Sequence, residues 1–169
     1  EKGRFLARVE GPVRGNVLLR REQYRRSESI PAAAVIAGAV VAGKIANSRT
    51  TLLRAARELP QGEARNALRD ASAELRLLLA LVAVEKDLDR IRGIEGLAAK
   101  VYFSVFDHLL RQQKETFSFK ERSRRPPTDP INALLSFVYT LLVHDCRSAL
   151  EGVGLDPAVG FLHRDRPGR

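Results

Sequence analysis

Between residues 63 and 85 the chain sets Leu68, Leu75, Leu78, Leu79 and Val82 on one broad face at helical spacing. That stripe constrains the fold most, because a helix with such a face must bury it against another element. The neighbouring segments carry helix punctuation. Ser29 is a candidate cap and Pro31 fits a first turn, so a helical pattern starts within residues 27–31 and runs to about residue 58. Pro60 and Gly62 break it. After the leucine stripe comes a charged connection, residues 85–92, and a third helix is predicted over 94–111. Residues 117–127 form a loop dense in Lys, Arg and Pro. Thr128 or Asp129 then caps a fourth helix with Pro130 in its first turn, predicted to run to about residue 151. Gly152, Gly154 and Pro157 end the helical pattern.

The start of the chain reads differently. Phe5, Ala7 and Val9 alternate with Arg4 and Arg8, which is a strand pattern, and Gly11 and Pro12 form a turn signal. Residues 16–19 read as a second short strand. Two short strands do not make a stable sheet, so they are expected to finish a β domain that begins earlier. The expected architecture is mainly α: residues 1–27 are the end of an N-terminal β domain with its linker, and residues 28–169 form a helical domain lacking its own C-terminal end.

Composition narrows the function classes. The net charge of +9 and the pI of about 10.4 point to a polyanionic partner, nucleic acid first and an acidic membrane surface second; an Arg-rich solvated surface is the alternative. Cys146 is the single cysteine, so a disulfide framework and a Cys-based zinc site are excluded. The most apolar run, residues 30–43, falls short of the roughly 20 residues that span a bilayer and reads as a buried helix. No membrane partner is expected, and the expected location is the cytoplasm.

Glu95 stands out among the carboxylates because Gly93 and Gly96 flank it. Glycine inside a helix costs about 1 kcal/mol relative to alanine, so the pair suggests close approach of a metal or a phosphate backbone. Helical spacing puts Ala99, Tyr102 and Phe106 near the Glu95 face. A carboxylate on an apolar face is costly unless paired or metal-bound. The alternative is a helix-packing glycine pair beside a solvated glutamate. Among the histidines, His108 points away from Glu95 and His144 reads as structural, whereas His163 follows a Gly-rich loop where functional groups are often placed. Three basic groups suit phosphate: Arg14, Arg20, Arg21, Arg25 and Arg26; Lys120, Arg122, Arg124 and Arg125; and Arg164, Arg166 and Arg169. Tyr102 has two readings, a platform for stacking a base or a core residue, with core preferred. No GxGxxG, Walker-type or serine-nucleophile motif is present.

Five stretches together resemble the spacer-acquisition integrase that is the first of the numbered CRISPR-associated proteins. They are GRFLARVEGPVRGNVLLRREQYR (3–25), VAGKIANSRTTLLRAAR (41–57), GIEGLAAKVYF (93–103), RRPPTDPINALLSFVYTLL (124–142) and GLDPAVGFLHRDRPGR (154–169). The wording GNVLLRREQYR is most similar to the type I-C branch. The resemblance implies an N-terminal β domain, a helical catalytic domain, and homodimers that flank a dimer of the second CRISPR-associated protein. It implies a metal-dependent DNA endonuclease and integrase that inserts foreign DNA into a CRISPR array in antiviral defence. It implies a Glu–His–Asp metal site, with Glu95 and His163 at the first two positions and the Asp beyond Arg169; Asp165 does not match that position. Such ligands suit Mn²⁺ or Mg²⁺, with Mn²⁺ the more tolerant of His. Arg122, Arg124, Arg125, Arg164 and Arg166 are the expected DNA contacts, and Glu95 and His163 are expected within a few ångströms of each other. The competing expectation is a nucleic-acid-binding or assembly module without catalysis.

Overall fold

A computed structural model describes residues 16–163. The described residues form helices α1 (Val17–Glu28), α2 (Ile30–Glu58), α3 (Glu63–Val84), α4 (Leu88–Ser104) and α5 (Pro130–Gly152), with a 3₁₀ turn at Phe106–Leu109 after α4. No strand occurs among them, as expected for a mainly α domain. The strand pattern at residues 3–9 and Arg14, Arg164, Arg166 and Arg169 lie outside the described residues.

The core is a three-helix unit. At about 1.5 Å per residue, the 29 residues of α2 span roughly 43 Å. Its buried side is Ala33, Ala34, Ala37, Val41, Ile45, Leu52 and Ala56, mostly small residues that let α3 come close. The leucine stripe of α3 meets it: Leu68, Leu75, Leu78 and Val82 are buried, as their spacing predicts. Helix α4 closes the unit with Ile91, Ala98 and Val101. By length and composition α2 would pass for a membrane span, longer than the run read from the sequence; its buried stripe faces α3 and α4, but Ile30, Val35 and Val40 are exposed, so the run read as a buried helix is only partly buried.

Two boundaries differ from the sequence reading. Residues 16–19 are not a strand; Val17 opens helix α1. Glu22 pairs with Arg25 and Arg26 one turn on, and Arg20, Gln23 and Tyr24 bond to a distant loop, so side-chain contacts override the short apolar run. Helix α4 starts at Leu88, inside the supposed charged connection, because the Asp87 carboxylate accepts from the Arg90 amide at 2.8 Å. It ends at Ser104, before the 3₁₀ turn.

Helix α5 has no extensive packing against another helix. It is anchored at its N-terminus. Asp129 caps it, accepting from the Asn132 amide at 2.7 Å, and those bonds hold the Asp129 carboxyl below its usual range. The Asn132 side chain is fully buried and fully used. It donates to the Glu121 carbonyl (2.8 Å) and to Asp129 (2.6 Å), and accepts from Arg122 (2.7 Å) and the Ser123 amide (3.0 Å). Further along, Leu134, Phe137, Val138, Leu141, Leu142 and Val143 are exposed. At the other end the Leu155 amide bonds to the Leu150 carbonyl (2.9 Å) and the Gly154 amide to Glu151 (3.0 Å), a Schellman closure. Gly154 has φ +85°, and a Cβ there would lie 3.0 Å from Asn16, so this position requires glycine.

Candidate functional site

Glu95 sits on α4 at the wall of a hollow of ≈ 470 Å³ formed by three helices. Helix α2 contributes Lys44 and Asn47, α4 contributes Glu95, Tyr102 and Phe103, and α5 contributes Tyr139. The half-buried carboxylate is paired: the Lys44 ammonium donates to Glu95 Oε1. That pairing answers the cost of placing a carboxylate on an apolar face. Lys44 was not singled out from the sequence, although VAGKIANS sets one cation within an apolar run.

Gly93 and Gly96 are exposed, and a Cβ built on either meets nothing within 4 Å. They are therefore not a helix-packing pair. They leave the α4 backbone beside Glu95 open to an incoming group.

Tyr102 satisfies part of both readings. It lines the hollow and packs against the core, with edge contacts to Phe103 (5.4 Å) and Phe106 (5.7 Å). Burial pushes its phenol above the usual tyrosine range. Behind it, Phe119 is buried against Phe106 (4.8 Å) and Phe103 (5.7 Å), tying the basic loop to α4. The Asp107 carboxylate accepts from the Phe119 amide at 2.8 Å, which lowers its pKa, and Lys114 adds to the effect.

The hollow continues into a basic surface. Ala99 and Phe103 also line a second hollow with Lys100, Lys120, Arg122 and Arg124. Tyr139 also lines a third with Arg122, Arg124 and Arg125. Arg122 and Arg124 line both the second and the third, so the three hollows are neighbours with shared lining residues. The arginines around them differ. Arg122 is half-buried, bonded to Asn132 and set over the Tyr139 ring at 5.6 Å, so it clamps the loop. Arg124 and Arg125 are exposed. Tyr139 was missed in the sequence reading; its signal is a lone tyrosine in the apolar run of α5.

His163 is exposed and lines a different hollow, with Tyr24, Glu28 and Asp156. The expected close approach to Glu95 is not among the contacts of either residue: Glu95 bonds to Lys44. The link is indirect. Arg92, one turn before Glu95, donates to the Leu162 carbonyl at 2.7 Å and 3.1 Å. No group of three His, Cys, Asp or Glu side chains able to hold a metal ion occurs among the described residues. The donors present, one carboxylate and one imidazole, suit Mn²⁺ or Mg²⁺ in kind but do not by themselves assemble a site. His144, read as structural, is exposed.

Fold and site describe a helical domain with a carboxylate-bearing, aromatic groove opening onto a basic rim. The family model for CRISPR associated protein Cas1 matches residues 1–169, and the chain belongs to that family. The CRISPR-associated endonuclease Cas1 2 of Rhodospirillum rubrum is 58% identical over 172 residues, covering 99% of this chain and 49% of its own length. The chain thus spans about half the length of the curated relatives it matches. Among solved structures, a chain of a partial Cas6-RT-Cas1–Cas2 complex matches with a TM-score of 0.77 at 30% identity, covering 99% of this chain and 48% of that one. A casposase bound to integration product matches with a TM-score of 0.68 at 26% identity, covering 94% and 42%.

Proposed function

We propose that this chain is the helical catalytic part of a metal-dependent DNA endonuclease and integrase that inserts new spacers into a CRISPR array. The observation that carries the proposal is the group of neighbouring hollows with shared lining residues, Glu95, Tyr102, Phe103 and Tyr139 around the first and Arg124 and Arg125 in the walls of the others. That chemistry suits a DNA strand: exposed cations for phosphates, rings for bases, and one carboxylate. The matches to a Cas1–Cas2 complex and to a DNA-bound casposase support DNA and the second CRISPR-associated protein as partners of the whole protein. Homodimerisation, cytoplasmic location and a place in the type I-C branch belong to the same reading.

The roles divide by position. Glu95 and His163 would be the residues to hold a divalent ion, Mn²⁺ or Mg²⁺, once further donors complete the site, and the chemistry it would supply is Lewis-acid stabilisation of charge on the phosphate. Arg124, Arg125, Lys100 and Lys120 hold the sugar–phosphate chain. Arg122 orders their loop from below. Tyr102 and Tyr139 orient the strand end, and Lys44 pairs with Glu95, the carboxylate that a divalent ion would also use.

The test is strand transfer of short duplex DNA into an array-bearing plasmid by the full-length protein with its partner. Glu95→Ala is expected to abolish transfer while leaving DNA binding and the melting temperature in place. Integration at the wild-type level would overturn the proposal. A second reading, a DNA-binding or assembly module without catalysis, draws on the Lys44–Glu95 pair and on the lack of a three-donor cluster among the described residues. It predicts salt-sensitive DNA binding indifferent to divalent ions.

A further inference from the structure

The loop after α5, residues 153–163, delivers His163 and is held at two points by residues far away in sequence. At the first point, helix α1 reads its backbone. The Gln23 side-chain amide donates to the Asp156 carbonyl at 2.8 Å, and its oxygen accepts from the Asp156 amide at 2.8 Å. Gln23 is only 6% exposed, so this two-way pairing is shielded from water. Arg20 donates to the Gly154 carbonyl at 3.1 Å, and the Tyr24 hydroxyl bonds to the Asp156 carboxylate. Gly154, with no room for a Cβ against Asn16, lets the loop come this close. At the second point, Arg92 of α4 grips the Leu162 carbonyl with two donors.

We infer that Gln23 and Arg92 are positioning residues that fix the His163 loop in register with the Glu95 helix. The geometry supports the assignment in three ways. Gln23 satisfies both backbone groups of one residue, Asp156, which otherwise lies outside any helix. Arg92 stands on the same helix as Glu95, so the carbonyl it grips, next to His163, is set relative to that carboxylate. The two grips bracket a loop that no regular element stiffens: residues 154–162 have no helix among them. Neither residue touches the hollow around Glu95, so both act through the loop.

The inference rests on the reading of His163 as part of the catalytic site, and the experiment separates the two. Gln23→Met keeps the length and apolar body of the side chain and removes both hydrogen bonds; Gln23→Ala removes the packing as well. In the full-length protein each is expected to raise amide exchange at residues 154–162 by about tenfold or more, with α2 and α3 unchanged. Strand-transfer turnover is expected to fall by a similar factor, with DNA affinity and KM for DNA held. Arg92→Gln is expected to loosen the loop from its other end. A Gln23→Met protein with wild-type loop exchange and turnover overturns the inference, because packing alone would then suffice. Exchange that rises equally in α2 and α3 also overturns it, since the contact would then be part of global stability. A Glu95→Ala protein with full activity instead sinks the catalytic reading and leaves the loop measurement to decide the mechanical part.

Discussion

At the scale of single residues, Lys44 governs how Glu95 behaves. The pair is partly exposed, with Lys44 at 50% and Glu95 at 23%, so its contribution to stability is modest, about 0–1 kcal/mol. If Glu95 binds a divalent ion as proposed, the pair is also a competitor, because an ammonium on Oε1 occupies a position that ion would use. Lys44→Met is therefore expected to lower the melting temperature slightly without metal and to enlarge the upward shift on adding Mn²⁺. Thermal melts of both proteins across a Mn²⁺ series check this; an unchanged shift would show that Lys44 does not compete. Glu95 drew notice in the sequence because two glycines flank one carboxylate inside a helix, and the structure places it at the wall of a hollow. Its partner drew none, since a lysine 51 positions away meets it only once α2 and α4 pack. Tyr139 escaped for the same reason, standing exposed on a helix whose apolar pattern reads as core.

At the scale of elements, the punctuation was the reliable signal. Ser29 and Asp129 each stand at the N-cap position their type suggests, Asp129 alone with a side-chain cap bond, and Pro60 and Gly62 lie between α2 and α3 as breakers. Helix α1 was misread because a few apolar residues have no decisive period, and what holds it, bonds to residues 154–156, is non-local. The Asp129 cap carries a pH dependence. Its carboxyl is held below the usual value near 3.9 by the Asn132 bonds, so its contribution is present above that value. That contribution is lost as pH falls through the lowered folded value, and Asp107, depressed for a similar reason, behaves the same way. Stability should be flat above about pH 5 and decline below about pH 4, with a shallower decline in Asp129→Asn. Urea melts from pH 3 to pH 7 check the sign, and an acid limb identical in the variant would contradict it.

At the scale of the molecule, apolar surface is distributed unevenly between α5 and the three-helix core. Leu75 is fully buried, whereas Leu141 is 48% exposed. Leu75→Ala is expected to cost about 2–5 kcal/mol, and Leu141→Ala in this chain no more than about 0.5 kcal/mol. Denaturant melts of the two proteins decide it; equal losses would mean that α5 is packed as tightly as the core. The mean-α architecture and the leucine stripe were legible because local periodicity encodes them. The grouping of hollows was not, because it is assembled from α2, α4, α5 and a loop that share no sequence pattern.

The contact between α1 and the loop after α5 joins residues 133 positions apart. Helices α2, α3 and α4 meet their immediate neighbours in the chain, so they can dock early and quickly. Closure between Gln23 and Asp156 spans a far longer stretch of chain, and it is therefore expected to come late in folding, which unfolding rates of Gln23→Met against an unchanged refolding rate would check. An interaction absent from the transition state slows escape from the native state without hastening arrival. Strengthening this closure would lengthen the lifetime of the folded loop while leaving the refolding rate unchanged.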